Sequence, residues 1–126
     1  MKQPIWLLAF ALVTTVSACG GGGGDDTIEP VVPGVVEVSL FSDTFNPADL
    51  TVFVGDTVRW VNDDDDEHTV TSGIDNADPD AGLIFGSPVL LPGDVFEVDF
   101  NDIGDFDYFC QFHVDEGMFG VVHVEP

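Results

Sequence analysis

From residue 35 onward, apolar side chains recur at every second position. Val36, Val38 and Leu40 alternate with Val35, Glu37 and Ser39, the pattern of a strand with one buried face. The same period of two runs through residues 50–54, 57–61, 89–91, 95–100, 106–110 and 121–124. Turn formers separate the runs: residues 41–47 around Phe45, Gly55-Asp56, Pro92-Gly93-Asp94, and residues 101–105. No helical stripe of useful length interrupts them. Residues 73–88 lack periodicity and carry Asp-Pro, Gly and Ser, so they read as a long surface loop with room for one helical turn. Many short strands at such spacing predict an all-β fold, an antiparallel two-sheet sandwich in a single domain.

The first 34 residues follow different rules. A short n-region with one base, Lys2, precedes an apolar run over residues 5–16. A bilayer-spanning helix needs about 20 such residues, so the run fits the core of a signal peptide. It ends in Val16-Ser17-Ala18-Cys19, which resembles a bacterial lipobox with cleavage before Cys19 and acylation of its sulfur. The alternative is an ordinary secretory signal with a chance cysteine. Five glycines at 20–24, two aspartates and a Pro-rich stretch to Gly34 come next. Such a segment buries too little to offset its ordering entropy, and as a flexible tether it spans roughly 20 Å. The expected organisation is a lipoprotein signal peptide over 1–18, a lipid-bearing Cys19 and tether over 19–34, and a folded domain over 35–126. The domain would be exported and anchored to a membrane, facing the periplasm or the cell exterior.

Charge narrows the partners. The chain has 24 acidic residues against Lys2 and Arg59, for a formal charge of −22, and loss of Lys2 with the signal peptide makes it −23. There is no basic footprint for nucleic acid. The apolar fraction of 44% and its patterning argue for a folded acidic domain, one that suits a saline medium in which self-repulsion is screened.

Candidate chemistry concentrates near the C-terminal end. Cys110, His113 and Met118 fall within nine residues, and His68 opens the run Thr69-Val70-Thr71. With Cys19 assigned to lipid, Cys110 has no disulfide partner. Two imidazoles and a thiolate with a weak thioether suit a blue-copper electron-transfer site better than other metal chemistry. Zinc is the chemical rival, since Cys and two His also suit it, but it rarely takes a thioether. Copper delivery is the functional rival. His123 lies between Val122 and Val124, so the period of two turns it outward, away from any site. With three histidines in the chain, no second copper centre of the kind an oxidase needs can be assembled, and no enzyme activity is expected.

Three blocks carry a family resemblance. They are Phe45-x-Pro47-x-x-Leu50 with Gly55-Asp56-Thr57-Val58-x-Trp60-x-Asn62; His68-Thr69-Val70; and Phe106-x-Tyr108-x-Cys110-x-x-His113-x4-Met118-x-Gly120-x-Val122-x-Val124. From about Val35 to Glu125 the chain resembles the cupredoxins of the plastocyanin, pseudoazurin and halocyanin kind. The resemblance implies a Greek-key sandwich, one copper ion held by His68, Cys110, His113 and Met118, and a hydrogen bond from the Thr69 N–H to the Cys110 sulfur. Phe112 departs from the pattern, standing where plastocyanins usually have proline.

The run 63–67, four aspartates and Glu67, reads first as a solvated loop. Lying next to His68, it would also favour the oxidised ion and attract a partner with a basic docking face, a small cytochrome c-like protein or another copper protein. Phe112, Phe119 and Phe85 are candidates for an apolar rim around an exposed His113 edge, with the hydrophobic core as their alternative place. The domain is expected to act as a monomer.

Overall fold

The computed structural model describes residues 33–126, where the alternating pattern becomes eight strands. These are β1 (Val35–Phe41), β2 (Thr44–Asn46), β3 (Asp49–Phe53), β4 (Thr57–Asn62), β5 (Thr71–Ser72), β6 (Val95–Asp99), β7 (Gly104–Phe109) and β8 (Phe119–Glu125). The helical content of the described residues is one 3-10 turn, Val114–Glu116. The signal peptide, Cys19 and nearly all of the tether lie outside the described residues.

Two four-stranded sheets face each other, β2-β1-β4-β6 and β3-β8-β7-β5, so the expected sandwich forms. Its pairing is mixed where an antiparallel arrangement was expected. β1 runs parallel to β4, with Val36 opposite Val58, and β3 runs parallel to β8, with Leu50 opposite Val122. The cause lies in the connections. β1 and β2 form a hairpin, β3 crosses to the other sheet, and β4 returns beside β1 in the same direction. Side-chain period fixes which face is buried and leaves strand direction open.

The inner faces follow the alternation. Val38, Leu40, Val58 and Trp60 from one sheet meet Leu50, Val52, Val122 and Val124 from the other. An aromatic cluster fills the middle: Tyr108 stands edge-on to Phe45 at 4.7 Å and to Trp60 at 5.2 Å. Such pairs contribute about 0.5–1.5 kcal/mol beyond their buried area. Burial pushes the Tyr108 hydroxyl up to about 12.

Two segments depart from the pattern. The expected strand over 89–91 reduces to one bridge, because Leu90 alone finds a backbone partner, exchanging both hydrogen bonds with His68. Residues 73–88 are a turn-rich loop without a helix, and they send Phe85 into the core. The Gly55-Asp56 turn joins β3 to β4 as expected. There the Asp56 carboxylate accepts from the Gly34 and Phe53 N–H groups, which holds it below the usual carboxylate range.

Candidate metal centre

One end of the sandwich gathers the sequence-predicted residues. His68 is pinned by its backbone: its N–H donates to the Leu90 carbonyl at 3.1 Å, and the Leu90 N–H donates back at 2.7 Å. Its side chain is wholly buried. Cys110, also wholly buried, directly follows β7. The loop after it folds on itself. The His113 N–H donates to the Cys110 carbonyl, the Met118 N–H to the His113 carbonyl, and the Cys110 N–H to the Met118 carbonyl at 3.0 Å. Gly117 closes the 3-10 turn at φ 94°, a left-handed conformation that glycine adopts without strain. This reversal returns the chain to β8 and buries Met118 completely. Thr69 ties the loop down from the opposite side, its Oγ1 accepting the Gln111 N–H at 2.9 Å.

The donor atoms converge. His68 Nδ1 and His113 Nδ1 each lie 3.7 Å from Cys110 Sγ, and the two rings are 4.9 Å apart. The three donors all fall within 4.8 Å of one another. A metal with bonds of about 2.0–2.1 Å to nitrogen and 2.3 Å to sulfur separates those donors by about 3.6–3.8 Å between tetrahedral and trigonal angles. The set fits one ion. The Thr69 N–H donates to Sγ at 3.4 Å, the hydrogen bond the resemblance implied.

Behind the donors stand carboxylates that sequence reasoning treated only as a charged run or a turn. His68 Nε2 lies 2.9 Å from Asp64 Oδ2. That hydrogen bond, first among its causes, holds the Asp64 carboxyl below the usual range. His113 Nε2 lies 3.5 Å from Asp43 Oδ1, a buried oxygen with no hydrogen-bond partner. Asp66 is a third carboxylate within reach of His113. Asn62, at the end of β4 and buried, folds the acidic loop: its Nδ2 donates to the Asp66 and Leu90 carbonyls, and its Oδ1 accepts the Asp64 N–H. The available signals were an aspartate four residues before His68 and a Ser42-Asp43 turn pair.

Residues 36–125 match the copper binding proteins of the plastocyanin/azurin family. The chain belongs to that family. A plastocyanin from Scenedesmus fuscus is 30% identical over 97 residues, covering 71% of this chain and 99% of the relative. A chloroplastic plastocyanin from Tetradesmus obliquus is 34% identical over 88 residues, covering 64% of this chain and 58% of that protein's length. Among solved structures, a purple cupredoxin from Nitrosopumilus maritimus superposes with a TM-score of 0.63 at 31% identity, covering 71% of this chain and 99% of that one. A Cu(I) form of an amicyanin mutant reaches 0.61 at 28% identity, covering 75% and 86%.

In this cupredoxin, copper is thus the metal that the family binds, and His68, Cys110, His113 and Met118 form a candidate site for one ion. His123 faces outward from β8, as expected. Its Nδ1 lies 2.7 Å from Asp105 and its Nε2 3.0 Å from Asp49, and Asp105 foremost raises its pKa. Phe112 is half-exposed with its ring 6.4 Å from that of His113, in keeping with a rim, whereas the half-exposed Phe119 lines a separate cavity with Tyr108 and Val114. Phe85 joins neither. It is buried against Trp60, Phe100 and Tyr108, drawn inward by the Thr71–Gly86 bridge.

Proposed function

We propose that this cupredoxin is a type 1 copper protein that carries single electrons between exported redox partners, without enzymatic turnover. The observation that carries the reading is the approach of two imidazole Nδ1 atoms to one sulfur at 3.7 Å, from two anchored segments, His68 on one and Cys110 with His113 on the other. Copper, when bound, supplies the one-electron couple. His68, Cys110, His113 and Met118 would hold it. The chain's contribution is a frame that need not move: Leu90 pins His68, Thr69 donates to Cys110 Sγ, and three backbone hydrogen bonds lock the loop.

His68, Cys110 and Met118 are wholly buried, whereas the His113 side chain is 19% exposed beside the half-exposed Phe112. That edge is the natural port for a partner, with a small apolar contact that releases quickly. The acidic loop beside it favours a basic docking face, a cytochrome c-like protein first and another copper protein second. Arg59, the one Lys or Arg among the described residues, is already paired with Glu37 and Glu97 on the far side of β4. The apolar run and Val16-Ser17-Ala18-Cys19 support export as a lipoprotein tethered through Cys19. Fatty-acid labelling of the wild type, lost in Cys19→Ala, tests the tether.

An absorption spectrum of the copper-loaded protein tests the centre. An intense visible band that disappears in Cys110→Ser supports the reading. A colourless wild type, or a band that survives Cys110→Ser, overturns it in favour of a structural zinc site or copper delivery.

A further inference from the structure

We infer that Asp64 and Asp43 are positioning residues that bracket the two histidines from behind and bias the centre toward its oxidised state. This rests on the copper reading above and adds to it. Each imidazole turns Nδ1 toward Cys110 Sγ and Nε2 toward a carboxylate. An Nε2–H donated to Asp64 leaves His68 Nδ1 with a free lone pair, so the hydrogen bond selects the tautomer able to hold a metal. It also makes the imidazole a stronger donor.

The bracket is built by local sequence. Ser42 and Asp43, both at φ 56°, form the tight turn between β1 and β2, a backbone region that aspartate tolerates better than most residues. This turn carries Asp43 Oδ1 to within 3.5 Å of His113 Nε2, in a cluster that Asp64 and Asp66 also join. The Asp43 N–H also reaches Asp64 Oδ2 at 3.5 Å, so the two carboxylate positions are linked. Two negative groups on the outer nitrogens stabilise the more positive ion.

The test uses the full chain and four variants. Asp64→Asn keeps a hydrogen-bond acceptor and removes charge. Asp43→Asn does the same at a turn position where asparagine is equally at home. Asp65→Asn removes the same charge from the same loop, at a side chain that lines the cavity beside His113 but pairs with neither histidine. Each of the first two should lower Cu(II) affinity relative to Cu(I) about tenfold, which raises the potential by about 59 mV for one electron. Asp65→Asn should move it less than half as far. Nitrogen NMR of the metal-free protein at pH 8 gives an independent readout: His68 should hold one tautomer, Nε2–H, and mix tautomers in Asp64→Ala. A colourless copper-loaded wild type overturns the copper reading. A coloured wild type whose potential ignores Asp64→Asn and Asp43→Asn, or follows Asp65→Asn equally, overturns this inference alone.

Discussion

Removing the side chain of Asn62 should destabilise the protein by about 2–4 kcal/mol, and the figure follows from its three partners. Asn62 is buried, with Nδ2 at 2.9 Å from the Asp66 carbonyl and 2.8 Å from the Leu90 carbonyl, and with Oδ1 at 2.9 Å from the Asp64 nitrogen. In Asn62→Ala the exposed Asp66 turns its carbonyl to water, and the Leu90 carbonyl keeps the His68 N–H. Those two losses are mild, about 1 kcal/mol together. The Asp64 N–H is left partly buried without a partner, which costs about 1–3 kcal/mol. For a domain of this size each kcal/mol lowers Tm by about 4–8 °C, so a drop of roughly 10–30 °C is expected. Urea unfolding of the metal-free full chain measures the loss directly, with an unchanged m-value showing that only native contacts were removed. A loss below about 0.5 kcal/mol, the range of ordinary surface substitutions, would refute the claim that Asn62 organises the acidic loop.

Gly120→Ala should cost about 1–3 kcal/mol by overpacking, because a Cβ there would meet the Ala48 carbonyl oxygen at 2.5 Å and the Tyr108 ring and hydroxyl at 2.7 Å; a urea midpoint equal to wild type would contradict this. The raised pKa of His123 gives a pH signature. Its contribution is fully present below the unfolded value of about 6.5 and is lost as pH rises through the folded value. The Tm gap between wild type and His123→Gln should therefore be widest near pH 6 and close toward pH 9, while the visible band stays unchanged; a gap that widens with pH reverses the sign and refutes a stabilising pairing of His123 with Asp105 and Asp49. Electron transfer to a cationic partner should slow steeply with salt, given a screening length of about 8 Å at 0.15 M. Stopped-flow rates that stay flat across an ionic-strength series would leave the apolar Phe112 edge as the docking determinant.

What could be read from the chain was what is local. Cys110, His113 and Met118 lie close in sequence, and the donor softness, spacing and flanking apolar runs are all visible there. His68 needed the family pattern, since one histidine beside a strand has many possible roles. Strand faces were legible because alternation records burial. The parallel pairs β1–β4 and β3–β8 were not, because alternation is the same in either direction. Leu90 shows a further limit: an apolar triplet predicts a strand, yet only the residue with a partner, His68, forms a bridge. Asp64 was hidden among like charges, and nothing in a run of acids says which one faces a histidine. Asp43 is seventy residues from His113, and only the fold brings that turn to that ring.

The position of β8 has a consequence for biogenesis. It is an interior strand of its sheet, laid between β3 and β7. Until residues 119–125 arrive, β3 and β7 have no common neighbour, and the loop carrying His113 and Met118 has no second anchor. In a chain made N-terminus first, His68 and Cys110 both emerge ahead of the segment that closes the sheet around them. The segment that completes the sheet is therefore the same one that fixes the loop bearing His113 and Met118.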